Sequence, residues 1–239
     1  MKRDKHNRSY ETMAAAASRL PEELLECIFK SLNDDNHTLK HLSVASKQFL
    51  AITNRVRFSV TISDETIPFL PRLFHRFPNL TSLNLTILSK TLEEVDDTIT
   101  LISTFPLDIK SFNLSNTNYN RSFHLSHTNH IRPFRIPAKG LIALSKTMKN
   151  LKSLAFYGMS HFKLEDLFFI ADYFPLLEEL NLSDPLFTCS QDFMMDDNDQ
   201  LLALPNLRRI NLFGNHINDQ FINFLRRNCK LLQEIMIIC

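Results

Sequence analysis

Residues 158–162 read Gly-Met-Ser-His-Phe and place a serine beside a histidine, the side chains that many hydrolases use as nucleophile and base. Exposing such a serine on a sharp turn requires a glycine on either side of it, two residues away. Phe162 stands where the second glycine is required, so the pattern is incomplete. A hydrolase that uses Ser160 and His161 is kept only as an alternative, and it would require an activity that Ser160→Ala abolishes.

Two polar clusters contain residue types that bind metal ions. His124, His127 and His130 recur every third residue, but no Cys, Asp or Glu joins them within residues 115–138 to complete a ligand set. The aspartates between positions 192 and 199 lack the glycine and the closing glutamate of a calcium loop. The chain's three glycines are too far apart for a loop that cradles nucleotide phosphates. We therefore predict no catalytic residue, no metal ion and no cofactor.

Composition limits the kinds of partner. The 239 residues include 27 Lys and Arg against 26 Asp and Glu, so no global field would attract nucleic acid or an anionic membrane. No run of eighteen apolar residues predicts a membrane helix. Four cysteines without a C-x-x-C pair suit reduced thiols. We expect an intracellular protein, cytoplasmic or nuclear, with a disordered tail over residues 1–18.

Six near-copies of one short pattern recur along the chain. FPNLTSLNL from Phe77, FPLLEELNL from Phe174 and LPNLRRINL from Leu204 are the clearest. The weaker copies are FPLDIKSFNL, MKNLKSLAF and CKLLQEIMI. One aliphatic residue of each copy serves as a phase marker, and the markers are Leu80, Ile109, Leu151, Leu177, Leu207 and Leu232. Their spacings by subtraction are 29, 42, 26, 30 and 25 residues, which indicates a repeat protein.

Each repeat is predicted to contain one strand and one helix. The alternation at the end of each copy, as in Leu83 and Leu85, is typical of a short strand with one buried face. Between the strands the apolar period becomes helical, as in Ile217, Phe221 and Leu225. Prolines after Phe77, Phe105, Phe174 and Leu204 should end each helix before the next strand.

This pattern resembles the leucine-rich-repeat family, most clearly between Leu207 and Leu232. The resemblance implies an α/β repeat solenoid over residues 59–239, about six units, with a curved parallel sheet whose outward positions often bind the ligand. Residues 115–138 would form an insertion, either a mobile surface loop or a binding element. The candidate target-binding residues are Ser82, Asn84, Ser153, Glu179, Asn181, Arg209 and Asn211.

The segment before the repeats has a different period. Leu24, Leu25, Ile28, Phe29 and Leu32 form a helical apolar stripe that Pro21 opens. A second helical pattern continues to Phe49 after the polar stretch Asn33–Asn36. Residues 19–58 should therefore form two or three short helices. So small a unit buries little apolar area by itself, so we expect it to bind a neighbour.

The string LPEELLECIFKSL, followed by LKHLSVASKQFLAI, resembles the F-box family, with Ser46 and Phe49 where Cys and Trp are frequent. Together with the repeats, the chain resembles F-box/leucine-rich-repeat proteins of the plant-like type. That resemblance implies docking on a Skp adaptor and, through it, on a cullin, with the repeats presenting a target protein for ubiquitination. The residues implied to face the adaptor are Leu20, Pro21, Leu24, Leu25, Ile28, Phe29, Leu32, Leu39, Leu42, Val44, Lys47 and Phe49.

Two alternatives stay open at this level. The helices could simply cap the solenoid, since the ends of a repeat array need covering. The chain would then be a protein-binding scaffold that is not engaged with a ubiquitin ligase. The sequence EIMIIC follows the last repeat without a polar cap, which raises the hypothesis of a truncated family member that self-associates through this end.

Overall fold

The computed structural model describes residues 20–32, 36–87, 91–116, 135–157, 162–183, 201–215 and 217–237. The chain divides into two compact units. The first comprises the residues up to Ser59 together with Pro71–Leu80, and the second comprises Val60–Leu70 and the chain from Thr81 onward. The sequence predicts residues 71–80 within the repeat array, whereas in the structure they belong to the first unit.

The first unit is helical. Its helices are α1 (Glu22–Ser31), α2 (Asn36–Ala45), α3 (Lys47–Val56) and, from Pro71, α4 (Leu70–Arg76). Acidic residues occupy the first turn of α1 and Lys30 its last turn, each complementing the helix dipole. The two or three short helices predicted here are confirmed over the described residues.

The core of this unit is a small apolar cluster contributed by α1, α2 and α3. Its buried members are Leu25, Phe29, Leu39, Ile52 and Val56. Leu32, Leu42 and Phe49 are partly buried and pack against it. The rings of Phe29 and Phe49 meet edge to face, with centroids 5.2 Å apart. Side chains from all three helices thus hold the unit together.

The second unit contains a seven-stranded sheet in which the strands are ordered as in the chain. The strands are β1 (Ser59–Ile62), β2 (Ser82–Ile87), β3 (Ser111–Asn116), β4 (Ser153–Tyr157), β5 (Glu179–Asn181), β6 (Arg209–Asn211) and β7 (Glu234–Met236). The helices are α5 (Leu92–Ser103), α6 (Ala138–Thr147), α7 (Leu164–Tyr173) and α8 (Asp219–Asn228), and a short 3₁₀ helix spans Ile67–Phe69. Successive strands from β2 to β7 pair in parallel, so an α/β arrangement of this kind is compatible with a repeat solenoid.

The repeat positions coincide with the strands. Each of the six phase markers is followed two residues later by the first residue of a strand, from Ser82 after Leu80 to Glu234 after Leu232. Alternate residues of β2, such as Leu83 and Leu85, are buried, as their period predicted. Because every copy enters the sheet at the same phase, equivalent residues stand side by side across it.

Helix boundaries follow local capping. Asn218, predicted near a helix start, caps α8 by accepting a hydrogen bond from the Phe221 N–H at 2.8 Å. Thr91 forms a capping box with Glu94 at the start of α5. Helices α4, α5 and α7 all end just before a Phe-Pro pair, as predicted.

The 42-residue interval lies between β3 and β4. The predicted insertion over 115–138 is too long at both ends, because Ser115 and Asn116 belong to β3 and Ala138 begins α6. Residues 117–134 lie outside the described residues. Across this interval α5 and α6 pack closely, and the Gly140 N–H donates to Asp96 Oδ1 at 2.7 Å. A short buried bond therefore joins the two helices that flank the long connection.

Candidate functional site

Two surfaces carry the residues singled out in the sequence, one in each unit. In the first unit, the twelve residues predicted to face an adaptor divide into three groups by burial. Those buried in the core are Leu25, Phe29 and Leu39. Those partly buried against it are Leu32, Leu42 and Phe49. Those exposed are Leu20, Pro21, Leu24, Ile28, Val44 and Lys47.

Leu25, Phe29 and Leu39, which the resemblance to an F-box predicts to face an adaptor, are buried in the first unit. Their exposed fractions are 3%, 2% and 1%, so these side chains offer almost no surface to a partner. They support the first unit from inside instead. The reason is geometric, because adjacent residues such as Leu24 and Leu25 lie 100° apart around a helix and only one edge of the stripe can face the neighbouring helices.

The remaining edge of α1 carries Leu24 and Ile28, and together with Leu20, which lies just before the helix, they form an exposed apolar stripe. These residues are four apart along the chain, and 39%, 46% and 42% of their surfaces are exposed. On α2, Val44 is 80% exposed. A single exposed leucine requires no explanation, but apolar side chains aligned along one helix edge are typical of a docking surface.

Polar contacts hold α1 against α3 on another side. The Arg55 guanidinium pairs with Glu22 and with Glu26, the latter at 2.8 Å. The hydrogen bonds that the Arg55 guanidinium donates to Glu26 and Glu22 raise the pKa of Arg55. Ser46 caps α3 by accepting a hydrogen bond from the Phe49 N–H at 3.1 Å, which gives a structural reason for a serine at this position. The orientation of the stripe is therefore set by both packing and polar contacts.

In the second unit, the seven predicted target-binding residues all stand at outward positions of the sheet, half-buried or exposed. Strand register arranges them in two rows that cross the strands. The first row contains Ser82, Ser111, Ser153, Glu179, Arg209 and Glu234. The second row contains Asn84, Asn113, Ala155, Asn181, Asn211 and Met236. The structure thus brings the predicted residues together on one face.

The first row changes in character from one end to the other. It carries hydroxyl groups on β2, β3 and β4 and charges on β5, β6 and β7. Glu179 pairs with Arg209 and accepts a weaker hydrogen bond from the Ser153 hydroxyl at 3.4 Å. Because Glu179 and Arg209 are both about half exposed, a partner that carries charge could compete for either of them.

The second row is mostly amide. The Asn113 side-chain amide donates to Asn84 Oδ1 at 2.7 Å, so two neighbouring strands share a side-chain hydrogen bond. Asn181 and Asn211 each accept a hydrogen bond at 3.0 Å from the backbone N–H two residues later. These bonds fix the amide orientations, so this row presents a defined set of donors and acceptors.

The middle of the second row differs, because Ala155 is only 3% exposed although it points outward. The Tyr157 hydroxyl accepts a hydrogen bond at 3.3 Å from the amide of Asn181, the register partner of Ala155. The tyrosine ring therefore leans from β4 toward β5 beside Ala155. This exposed aromatic was not singled out in the sequence, since Gly158 follows it and the repeat pattern ends there.

Besides Ala155, four members of the rows were not predicted from the sequence. Ser111 and Asn113 belong to the copy FPLDIKSFNL, in which one extra residue hides the alignment with the other copies. Glu234 and Met236 belong to the weakest copy, CKLLQEIMI. Counting from each phase marker to the second and fourth residues after it would have found all four.

Neither a metal centre nor a membrane-spanning helix is found in the described residues. Across these ranges no group of three or more His, Cys, Asp or Glu side chains is arranged to hold a metal ion. Residues 158–161 and the clusters of histidine and aspartate considered in the sequence lie outside them. Within the same ranges, no helix has the length and apolarity needed to cross a membrane. No family model matches the chain.

Proposed function

We propose that this chain is the substrate-recognition subunit of a Skp–cullin–F-box ubiquitin ligase. The first unit would be an F-box that docks on the Skp adaptor, and the second would be a leucine-rich-repeat solenoid that binds the target. In this role the chain performs no chemistry itself, and it acts in the cytoplasm or nucleus. The observation that carries the proposal is the exposed stripe of Leu20, Leu24 and Ile28, in a segment whose sequence resembles an F-box.

The stripe supports docking because it contributes little to the fold of its own unit. The core of the first unit is complete without it, since Leu25 and Phe29 on the same helix fill that role. These three large aliphatic side chains are about 40% exposed in the free chain. The exposed part of their surface therefore contributes no hydrophobic stabilisation. A partner that covers them would recover that free energy. The Skp adaptor that the resemblance implies would be that partner.

The sheet face supports the second half of the proposal. Its outward rows are polar and amide-rich, and Tyr157 on β4 stands beside them as a large amphipathic side chain. Polar rows with an aromatic anchor suit recognition of a folded or extended protein segment, because they combine hydrogen-bonding specificity with one site of apolar burial.

The test is capture of the purified full chain by a Skp adaptor, measured as an equilibrium affinity. The critical variant combines Leu24→Ala with Ile28→Ala. Each leucine-sized side chain that becomes buried on docking contributes about 1.5 kcal/mol, so the double variant should bind roughly 100-fold more weakly. Its free energy of unfolding should change little, because both side chains are about half exposed.

A matched control is available in the second unit. Leu101 and Leu176 are 43% and 45% exposed, which matches Ile28 and Leu24 at 42% and 46%. The combination of Leu101→Ala with Leu176→Ala should leave adaptor affinity unchanged. A folded wild-type chain that fails to bind the adaptor would exclude the ligase role and leave a repeat scaffold. An equal loss in both double variants would show that the stripe is not the docking surface.

A further inference from the structure

A pocket of about 310 Å³ lies wholly within the first unit, between helices α2 and α3 and the segment Pro71–Leu80. Three cationic side chains line it, namely Lys40, Arg57 and Arg76. None of its lining residues is acidic. Small-molecule pockets typically range from about 300 to 1,000 Å³, so this pocket suits a small ligand. Its charge favours an anion.

Two of these cations, Arg57 and Arg76, contact the same aromatic ring. The Cζ atoms of Arg57 and Arg76 lie 5.3 and 5.2 Å from the centroid of Phe77. Burial, and secondly the charge of Arg76, lower the pKa of Arg57, although an arginine stays charged at neutral pH. Among the described residues, no carboxylate lies within ion-pair distance of either guanidinium. The like charges are therefore left for a ligand to neutralise.

The polar groups of the pocket place a second requirement on the ligand, beside its negative charge. The Ser43 hydroxyl donates to the Lys40 carbonyl at 2.7 Å, and the Thr53 hydroxyl donates to the Leu50 carbonyl at 2.9 Å. Since each hydroxyl hydrogen is used within its own helix, these oxygens can offer only lone pairs to a ligand. Asn54 Oδ1 accepts from Arg76 Nε at 3.0 Å, which leaves the Asn54 amide as a donor. A suitable ligand thus carries hydrogen-bond donors as well as negative charge.

We propose that this pocket binds a small phosphate monoester of a polyhydroxyl compound, such as a sugar phosphate. Arg57 and Arg76 would hold the phosphoryl oxygens, since a guanidinium matches their geometry with paired N–H donors. Lys40 supplies a third positive charge. Ser43 and Thr53 accept hydrogen bonds from the ligand's hydroxyl groups. This inference stands on the pocket alone and is independent of adaptor docking.

The test is isothermal titration calorimetry on the full chain at constant ionic strength. Glucose 6-phosphate is the probe, and inorganic phosphate and glucose are its two separate halves. We expect glucose 6-phosphate to bind at least about 10-fold more tightly than inorganic phosphate, and glucose to give no measurable heat. A difference of this size corresponds to the two added neutral hydrogen bonds. Ser43→Ala should weaken binding of glucose 6-phosphate but leave that of inorganic phosphate unchanged.

Variants that remove a positive charge test the cationic side chains of the pocket. Lys40→Gln and Arg57→Gln should each weaken glucose 6-phosphate binding about 10-fold, as expected for loss of one charge-assisted hydrogen bond. Lys40 is exposed, so its replacement tests the site even if the loss of Arg57 from the Phe77 ring unfolds the unit. The matched control is Arg72→Gln, an exposed arginine on α4 that does not line the pocket. It should bind as wild type does.

Three outcomes would overturn the proposal. Inorganic phosphate that binds as tightly as glucose 6-phosphate would remove the role of the ligand's hydroxyl groups. A phosphoserine peptide that binds more tightly than the sugar phosphate would assign the pocket to a protein ligand. Equal weakening by Arg72→Gln and Lys40→Gln would show a general effect of net charge. Failure of adaptor capture would leave this proposal untouched, because the two assays have separate readouts.

Discussion

Replacing Gly140 by alanine should destabilise the second unit, although alanine is the better helix former. A Cβ atom built at this position lies 2.7 Å from Ile99 Cβ and 3.0 Å from the Asp96 carbonyl oxygen. Neither neighbour can rotate away, because one is the first atom of a side chain and the other is backbone. Helices α5 and α6 would have to separate, which also lengthens the hydrogen bond from the Gly140 N–H to Asp96.

The size of the effect follows from three contributions. Overpacking costs about 2 kcal/mol. Weakening a buried hydrogen bond to a carboxylate costs up to about 2 kcal/mol more. The gain in helix propensity from Gly to Ala is only about 0.5–1 kcal/mol, and it is smaller near a helix start. The net loss for Gly140→Ala is therefore roughly 2–3 kcal/mol, which would lower a urea midpoint by about 1 M.

The assay is urea unfolding followed by far-UV circular dichroism. The control is Ala143→Gly on the same helix, which measures the propensity term and should lose about 1 kcal/mol. If Gly140→Ala is as stable as wild type or more stable, the close approach of α5 and α6 does not exist. Packing of α6 against α5 would then not hold together the two sides of the 42-residue interval.

Three further predictions separate buried from exposed positions. Leu25→Ala should lower the free energy of unfolding by about 3 kcal/mol and Leu24→Ala by less than about 0.5 kcal/mol, measured by urea titration; equal losses would contradict the burial difference. Burial raises the pKa of Cys229 to about 11, so iodoacetamide at pH 8 should label the exposed Cys27 and spare Cys229 until denaturant is added, as peptide mass spectrometry can show. Asn215→Ala should cost about 2 kcal/mol in thermal unfolding, because its buried amide donates to the Leu182 carbonyl at 2.8 Å; an unchanged transition would show that this bond contributes nothing.

The strands could be predicted because a repeated aliphatic spacing marks both their position and their phase. Every marker lies two residues before a strand, even where the copies are poor. Strand β1 was missed as a member of the sheet, because its residues Ser-Val-Thr-Ile carry no copy of the repeat. Residues 71–80 were assigned to the array because FPNLTSLNL begins at Phe77, whereas their contacts lie in the first unit.

Side-chain roles in the first unit were harder to predict than its helices. The apolar residues of α1 between Leu24 and Leu32 cover a wide face of the helix. Their spacing does not show which edge of that face packs against α2 and α3. Leu24 and Leu25 are the same residue type and adjacent, yet one is 46% exposed and the other 3%. The pocket was beyond reach for a different reason, because Lys40 and Arg76 are 36 positions apart and belong to no common pattern.

The outward rows of the sheet say less about their partner than the exposed stripe of the first unit does. The reason is the different contribution of each surface to the fold. The outward rows of the sheet pack no core, since Leu83, Leu85 and their equivalents stabilise the opposite face. Residues in those rows can therefore change with little effect on the fold, so the target cannot be inferred from the fold. The stripe on α1 is different, because aliphatic side chains in water lower solubility and add no stability. Under the proposal, Leu20, Leu24 and Ile28 would contact a partner with an apolar surface of matching length. Adaptor docking is for that reason the step to test before any search for a target.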